Sequence, residues 1–278
     1  MNFFTTPDGA RLAFQDEGQR AGIPLLALAG LTRDSRDFDY MAQHLPQVRL
    51  MRLDSRGRGR SAWTGPDTYT VAQEAQDALA LLDHLGVERA ALIGSSRGGL
   101  LGMVMAATHK DRLLGICLND IGPVIERSGL DRIRTYLGMT PPYTTLTEVA
   151  RCLPLTTPGF DGVPHQRWMD EAIRHFVPYD GYVGLTYDPA LRLSFEAAMA
   201  APPVDLWPLF DACAGLPLAL IRGAHSDVLT AATAQAMQQR RPDMSYAEIP
   251  NRGHIPFLDE AESLHCIHAW LDAIEAQG

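Results

Sequence analysis

Two adjacent serines, Ser95 and Ser96, lie in the glycine-rich segment GSSRGG, directly after an apolar run. A serine hydroxyl is a weak nucleophile at neutral pH and needs both a base within hydrogen-bond reach and a backbone that presents its oxygen. A sharp turn from a strand into a helix presents the side chain in this way, and it requires small residues two positions before and after the serine. Ser96 has Gly94 and Gly98 at these positions, whereas Ser95 would have Arg97 at one of them. The spacing predicts that Ser96 is a nucleophile.

A base for this serine must come from a strand end later in the chain. His254 lies in NRGHIPF, just after a predicted strand that ends at Pro250, and Gly253 gives its loop conformational freedom. The other eight histidines fall in predicted helices or in the middle of the chain, except for His225, which shares a loop with Asp227. His254 is therefore the leading candidate, and His225 is its one serious rival.

Short apolar runs and helical patterns alternate along most of the chain, after a predicted hairpin over residues 3–17. The predicted strands are PLLALAG (24–30), VRLMRLD (48–54), RAALIG (89–94), LLGICLND (113–120), LPLALIRG (216–223) and MSYAEIP (244–250). The predicted helices outside the middle segment are 35–45, 71–86, 98–109, 231–240 and 258–275. This alternation predicts right-handed crossovers and a mostly parallel sheet with helices on both faces.

Residues 122–207 interrupt the alternation, because strand runs vanish there and prolines and aromatic residues accumulate. We interpret this segment as a helical cap insertion folded over one edge of the sheet, and residues 1–121 and 208–278 as the core. Aromatic side chains of the insertion are candidate walls of a substrate pocket. These candidates are Tyr136, Tyr143, Trp168, Phe176, Tyr182 and Tyr187.

Taken together, these motifs resemble the α/β-hydrolase family over nearly the whole chain. ALAGLTRDSRDF resembles its oxyanion loop, DSRGRGRS (54–61) its D-x-R-G-x-G-x-S segment, which is usually structural, and GSSRGG its nucleophile elbow. RGAHSDVL and NRGHIPFLDE resemble its acid and histidine loops, in the family's order of serine, acid and histidine. The resemblance implies an eight-stranded, mostly parallel α/β-hydrolase sheet flanked by helices, with a helical cap insertion.

The resemblance also implies roles for particular residues. It places the catalytic histidine at His254 and the acid that orients it at Asp227, after the strand LPLALIRG. Asp120, at the end of LLGICLND, is a rival, because some members of the family use that earlier position.

Two backbone N–H groups must stabilise the oxyanion of the tetrahedral intermediate. The resemblance implies Arg97, the residue after the nucleophile, and Leu31, after the strand PLLALAG. The chain departs from the family here, since the frequent His-Gly pair is Ala29-Gly30. That histidine is usually structural, so we expect a small change in loop support and no loss of activity.

The side chain of Arg97 leaves two interpretations open. Its guanidinium could hold a substrate carboxylate, with Arg33 and Arg36 assisting, which makes Arg97 and Arg33 candidate substrate-binding residues. Alternatively, it could turn away from the pocket and pair with a carboxylate of the core. The candidate partners are Asp34, Asp54 and Asp120.

Composition limits the class of partner. The net charge of −9 and the lack of a basic run disfavour nucleic acid or an anionic membrane surface as the main partner. No apolar run approaches the length of a membrane span, and the first residues lack the features of a secretory signal. The four cysteines are scattered, which is typical of free thiols in a reducing compartment. We therefore expect a cytoplasmic protein without a metal or organic cofactor.

These observations predict a serine hydrolase that cleaves a small carboxylic ester or lactone through an acyl-enzyme at Ser96. Its partner is then a small acyl substrate, and the oligomeric state stays open. Cleavage of a C–C bond in a β-diketone and hydrolysis of a thioester or amide use the same three side chains, so the sequence does not separate them. A ligand-binding protein that keeps these residues without turnover is the alternative from a different class.

Overall fold

The computed structural model describes residues 1–277 and contains a central eight-stranded sheet. The strands of the chain are β1 (Asn2–Thr5), β2 (Arg11–Gly18), β3 (Pro24–Leu28), β4 (Arg49–Leu53), β5 (Ala90–Ser95), β6 (Leu113–Asn119), β7 (Phe176–Tyr179), β8 (Tyr182–Leu185), β9 (Leu218–Gly223) and β10 (Ser245–Ile249). The order in the sheet is β1-β2-β4-β3-β5-β6-β9-β10. Strands β1 and β2 pair antiparallel and β2 runs antiparallel to β4, while all pairs from β4 to β10 are parallel. The predicted eight-stranded, mostly parallel sheet is confirmed.

Ten α-helices connect and cover these strands in residues 1–277. They are α1 (Asp39–Ala42), α2 (Val71–His84), α3 (Arg97–Thr108), α4 (Arg127–Tyr136), α5 (Leu146–Thr156), α6 (His165–His175), α7 (Leu191–Ala200), α8 (Trp207–Asp211), α9 (Ala231–Arg240) and α10 (Ala261–Glu275). The helix predicted over residues 35–45 is shorter than expected: a 3₁₀ turn at Ser35–Phe38 precedes the single turn of α1. The Asp34 carboxylate begins that turn by accepting the backbone N–H of Arg36.

The sheet separates two apolar cores, and strand alternation assigns each side chain to one of them. In β3, Leu26 and Leu28 face the larger core, beneath α2, α3, α8 and α9, whereas Leu25 and Ala27 face the smaller core, beneath α1 and α10. All four side chains are fully buried. Because both faces are covered, the central strands read as continuous apolar runs, which is why the sequence marks them clearly.

The segment 122–207, called the insertion below, contributes α4 to α7 and a two-stranded antiparallel hairpin of β7 and β8. The hairpin is a difference from the expectation of helices alone. The insertion packs on loops that follow the carboxyl ends of parallel strands. Gly129 lies against Asp227 after β9, and Gly159 lies against Gly253 after β10. Among the helices of residues 1–277, none combines the length and apolar character needed to cross a membrane.

Helix α3 begins unusually close to the sheet. A methyl group on Gly98 would lie 1.9 Å from the Leu28 carbonyl oxygen, and one on Gly94 would lie 2.3 Å from the Gly98 carbonyl carbon. Both obstacles are backbone atoms of the sheet or of α3 itself, which cannot rotate away as a side chain can. Glycine is therefore required at both positions for β5 and α3 to cross at this distance.

We predict that Gly98→Ala lowers the free energy of unfolding by at least about 2 kcal/mol, because the added methyl group forces α3 away from β3. The measurement is urea denaturation followed by circular dichroism. Gly102→Ala, one turn later in α3, is the matched control, since the atoms nearest to its methyl group are side-chain atoms, Leu92 Cδ2 at 2.8 Å and Ile116 Cγ2 at 3.5 Å. Equal destabilisation of both variants would contradict the proposed role of this crossing.

Candidate active site

Ser96, and not Ser95, occupies the turn between β5 and α3. Its backbone has φ 50° and ψ −113°, a left-handed conformation that is unfavourable for a residue with a side chain. Its N–H donates to the carbonyl of Asn119 at 2.9 Å, which ties the turn to the end of β6. The Ser95 side chain is 2% exposed, and its Oγ accepts a hydrogen bond from Asn119 Nδ2. The structure thus presents Ser96 and keeps Ser95 in the interior.

His254 connects Ser96 to a buried carboxylate. Its Nε2 lies 2.8 Å from Ser96 Oγ, and its Nδ1 lies 2.7 Å from Asp120 Oδ2. With the ring proton on Nδ1 donated to the carboxylate, Nε2 is left to accept the serine hydroxyl. This is the arrangement that a general base requires for taking the proton of an attacking serine.

Asp120 is held in place by donors on the neighbouring strand end. The N–H of Gly223 donates to Oδ1 at 2.8 Å, and the hydroxyl of Ser226 donates to Oδ2 at 2.5 Å. The residue is fully buried and follows β6 directly. The carboxylate therefore has one orientation, with an oxygen directed at the imidazole of His254.

The prediction that Asp227 orients His254 is corrected by this geometry. Asp227 is bound instead by Arg132 of α4, whose Nε and Nη2 each donate to one of its oxygens, the latter at 2.9 Å. Burial acts to raise the pKa of Asp227, but the hydrogen bonds and charge of Arg132 bring that pKa below its ordinary value. Asp227, after β9, thus joins the core to the insertion. Asp120, after β6, is the rival named from the sequence, and it is the carboxylate that contacts His254.

The two predicted oxyanion donors are Leu31, in the loop that passes Ser96, and Arg97, the residue that follows Ser96. A methyl group on Gly30 would lie 3.7 Å from Ser96 Cβ, so the loop after β3 runs directly past the serine. Within residues 1–277, neither the N–H of Leu31 nor that of Arg97 donates to a protein acceptor. A pair of free N–H groups on the two sides of a nucleophile is what an oxyanion hole requires.

The guanidinium of Arg97 turns away from Ser96. Its Nε and Nη2 donate to the two carboxylate oxygens of Glu74 at 2.8 and 2.9 Å, and Nη2 also donates to the Tyr69 carbonyl. Of the two interpretations, the structure favours the one in which Arg97 pairs with a carboxylate of the core. The interpretation in which Arg97 turns away describes its direction, but its partner is Glu74 of α2 and none of the three aspartates considered.

Arg33 lies where the oxyanion loop meets the insertion. Its Nη1 is 3.3 Å from Glu171 of α6 and 3.8 Å from Asp37, so its charge is already compensated. Although burial acts to raise the pKa of Glu171, the hydrogen bond from His175 and the charge of Arg33 bring it to about 2. Arg33 reaches the wall of the site, but as part of an ion-pair network.

Two cavities flank the Ser96 turn. A narrow one of about 50 Å³ adjoins His254 and is lined by Arg33, Tyr40, Trp168, Glu171 and Phe257, among others. A larger one of about 570 Å³ lies beyond the oxyanion donors, between α7 and the start of α2. Its lining includes Leu31, Pro66, Tyr69, Arg97, Phe195 and Ala198.

Of the six aromatic residues predicted as candidate pocket walls, only Trp168 lines one of these cavities. Tyr187 is buried against Tyr69, and its hydroxyl accepts the N–H of Gly138, which makes it part of the packing of the insertion. Tyr136 is 44% exposed and lines neither cavity. Side-chain direction within the insertion depends on its tertiary packing, which the sequence pattern does not reveal.

The sequence pattern did not indicate Glu74 and Arg58, which contact Arg97 and Leu31 beside the site. Both are buried, and Arg58 Nη1 donates to Glu74 Oε1 at 2.8 Å. The available signal is the position of Glu74 in α2, three residues before Asp77 and one before the buried Ala75. A carboxylate on the core face of an amphipathic helix needs a buried cation as its partner.

Comparison with known proteins agrees with the fold. The family model of the alpha/beta hydrolase fold matches residues 23–167. A 3-hydroxybutyrate-oligomer hydrolase of Cupriavidus necator is 35% identical over 264 residues, which cover 91% of this chain and 90% of that protein. The crystal structure of an alpha/beta hydrolase from Novosphingobium aromaticivorans superposes with a TM-score of 0.91 at 40% identity, covering 98% of this chain and 97% of the other. A 2-(acetamidomethylene)succinate hydrolase of Mesorhizobium japonicum is 25% identical over 277 residues, 96% of this chain and 94% of that protein.

We predict that Asp120→Asn lowers kcat by about a thousandfold, because an amide in place of the carboxylate no longer holds the tautomer of His254 that accepts the serine proton. Asp227→Asn should lower kcat by less than about tenfold, since it leaves the hydrogen bonds of His254 intact. Steady-state kinetics on a chromogenic ester measure both effects. A larger loss from Asp227→Asn than from Asp120→Asn would show that the acid after β9 serves the histidine during turnover.

Proposed function

This chain belongs to the alpha/beta hydrolase fold family, and we propose that it is a serine hydrolase that cleaves a small carboxylic ester or lactone. The observation that carries the proposal is the unbroken hydrogen-bonded series from Ser96 Oγ through His254 to Asp120. Two unused N–H groups, those of Leu31 and Arg97, lie beside the serine. A nucleophile, a base, an orienting acid and an oxyanion site together are the parts that acyl transfer needs.

In the first half of the proposed reaction, Ser96 Oγ attacks the ester carbonyl while its proton passes to His254 Nε2. The carbonyl oxygen becomes negatively charged and accepts hydrogen bonds from the N–H groups of Leu31 and Arg97. The buried Asp120 carboxylate stabilises the imidazolium that forms. When the tetrahedral intermediate collapses, His254 returns the proton to the leaving alcohol, and the acyl group stays on Ser96.

In the second half, water takes the place of the alcohol. His254 Nε2 accepts a proton from the water as it attacks the acyl carbonyl, and the same N–H groups hold the second oxyanion. Collapse of this intermediate releases the carboxylic acid and restores the hydroxyl of Ser96 with the proton from His254. One ester and one water thus give one acid and one alcohol.

For the substrate, we propose a short oligoester of a small hydroxy acid. The support is the 3-hydroxybutyrate-oligomer hydrolase, which is similar over nine-tenths of its length. The cavity of about 570 Å³ beside the proposed oxyanion donors has a volume large enough for a short oligoester, and Leu31, Phe195 and Ala198 give it apolar walls. In this proposal the insertion is the cap that shapes the pocket.

The arginines near Ser96 bear on how such a substrate is held. Arg33 and Arg97 each already bind a carboxylate of the protein. Both guanidinium groups are therefore engaged by carboxylates of the protein, although Glu74 binds Arg58 as well as Arg97. The proposal accordingly places recognition in the shape of the cavity and in the oxyanion donors, and neutral esters belong in the substrate panel beside 3-hydroxybutyrate oligomers.

We predict that a fluorophosphonate adds one phosphonyl group to Ser96, because His254 activates this hydroxyl. Intact mass followed by peptide mapping measures the addition. The label should persist in Ser95→Ala, the matched control, vanish in Ser96→Ala and form more slowly in His254→Ala. Labelling that survives Ser96→Ala would reject Ser96 as the nucleophile, and the ligand-binding alternative would then come first.

The same protein should hydrolyse p-nitrophenyl butyrate and a 3-hydroxybutyrate dimer, with kcat in Ser96→Ala reduced by at least about ten thousandfold. Release of p-nitrophenol and of 3-hydroxybutyrate measures the two activities. A labelled Ser96 with no turnover of any ester or lactone would contradict the ester assignment. Turnover of a thioester or a β-diketone in that case would identify the alternative chemistry.

A further inference from the structure

Glu74 is a buried carboxylate shared by two arginines. Its side chain is 1% exposed and lies on the core face of α2. Oε1 accepts hydrogen bonds from Arg58 Nη1 at 2.8 Å and from Arg97 Nη2 at 2.9 Å, and Oε2 accepts one from Arg97 Nε at 2.8 Å. A carboxylate that leaves water needs such partners, and charged hydrogen bonds of this kind are strong and directional.

Each of the two arginines is connected to one proposed oxyanion donor, Arg58 by a hydrogen bond and Arg97 through its own backbone. Arg58 Nε donates to the carbonyl oxygen of Leu31 at 2.8 Å. The carbonyl and the N–H of Leu31 lie on the two sides of one Cα, so holding the carbonyl limits the rotation of the N–H. The other donor is the backbone N–H of Arg97 itself, whose side chain Glu74 holds. The two donors come from loops far apart in sequence, and Glu74 joins them.

We propose that Glu74 is a positioning residue of the oxyanion hole, which acts through Arg58 on Leu31 and through the side chain of Arg97 on its backbone. This inference rests on the proposed hydrolase function for its effect on rate. Gly30, which precedes Leu31, does not by itself restrict the conformation of the loop. Ala29 occupies the position where the family frequently has a histidine that supports the loop. The hydrogen bond from Arg58 to the Leu31 carbonyl oxygen supports this loop.

Charge explains why a carboxylate is needed at position 74. Burial acts to raise the pKa of Glu74, but the charges of Arg58 and Arg97 bring it below its ordinary value, so the group is ionised at neutral pH. A neutral side chain there would leave the buried guanidinium of Arg58 and the partly buried guanidinium of Arg97 side by side without a carboxylate between them. Their repulsion would move the residues that they hold.

The same helix offers a matched control. Asp77, also 1% exposed, binds the fully buried Arg56 through Nε and Nη2, both at 2.6 Å. Arg56 belongs to the same loop after β4 as Arg58. Asp77 has no hydrogen bond to Leu31 or to Arg97. Arg56 also donates to Asp8, so it keeps one carboxylate when this ion pair is lost. The change therefore tests the loss of a buried carboxylate in the same helix without a direct effect on the proposed oxyanion donors.

The experiment compares Glu74→Gln with Asp77→Asn in the full chain, at a temperature where both remain folded. Glu74→Gln should lower kcat by about ten- to a hundredfold and change KM by less than about twofold, because oxyanion hydrogen bonds act in the transition state. Asp77→Asn should keep kcat within about twofold. Affinity for phenylboronic acid, which forms a tetrahedral adduct on a nucleophilic serine, should fall with kcat in Glu74→Gln alone. Glu74→Asp should recover part of the loss, since it restores the charge.

Equal kcat in Glu74→Gln and the wild-type protein, or an equal fall in Asp77→Asn, would overturn the inference. If Glu74→Gln does not fold, Arg58→Lys replaces it. This variant keeps a cation beside Glu74 but loses the fork that also reaches Leu31, so it should show the same fall in kcat at constant KM.

A measurement without turnover separates this inference from the proposed function. Hydrogen exchange of peptides that contain Leu31 and Arg97 should be faster in Glu74→Gln than in Asp77→Asn. Faster exchange in a protein that neither labels nor hydrolyses esters would reject the hydrolase proposal and keep the positioning role of Glu74. Equal exchange in the two variants would reject the positioning role, whatever the activity.

Discussion

The close crossing of α3 over β3 and β5 sets the geometry on which the rest of the site depends. Without Cβ atoms at Gly94 and Gly98, the backbones of the strand and the helix meet, and the turn between them is forced into the conformation seen at Ser96. The same approach brings the loop after β3 alongside the serine, so that Leu31 and Arg97 lie together. The positions of the proposed nucleophile and of the proposed oxyanion donors thus follow from a single steric contact.

Charges around this turn are arranged in pairs between elements that are distant in sequence. Each pair joins a helix to another helix or to a loop that is distant from it in sequence. The pairs are Arg97 with Glu74, Arg132 with Asp227, Arg33 with Glu171 and Arg167 with Asp259. Three of the four include a residue of the insertion, so electrostatics attach the insertion to the core around the site. Buried or half-buried pairs of this kind contribute more to specific geometry than to net stability.

Asp120 and Asp227 show how such pairing gives similar residues different contacts. Asp120 and Asp227 both follow strands of the sheet, and both lie near His254. Asp120 is fully buried, and Gly223 and Ser226 direct it at the imidazole. Asp227 is partly exposed beneath α4, where Arg132 occupies its oxygens. Local donors, and not the order of the residues along the chain, decide which carboxylate orients the histidine.

The sequence by itself determined the sheet and the turn between β5 and α3, and it indicated Ser96 and His254. Central strands covered on both faces are continuous apolar runs, and GSSRGG leaves room for only one serine between small residues, so local pattern was enough for both. Tertiary structure alone decided the acid, the direction of Arg97 and the hairpin and aromatic packing of the insertion. It also revealed Glu74 as the link between Arg58 and Arg97. These features depend on which side chains come into contact between segments that are distant in sequence. The spacing of residues along a chain does not encode such contacts directly.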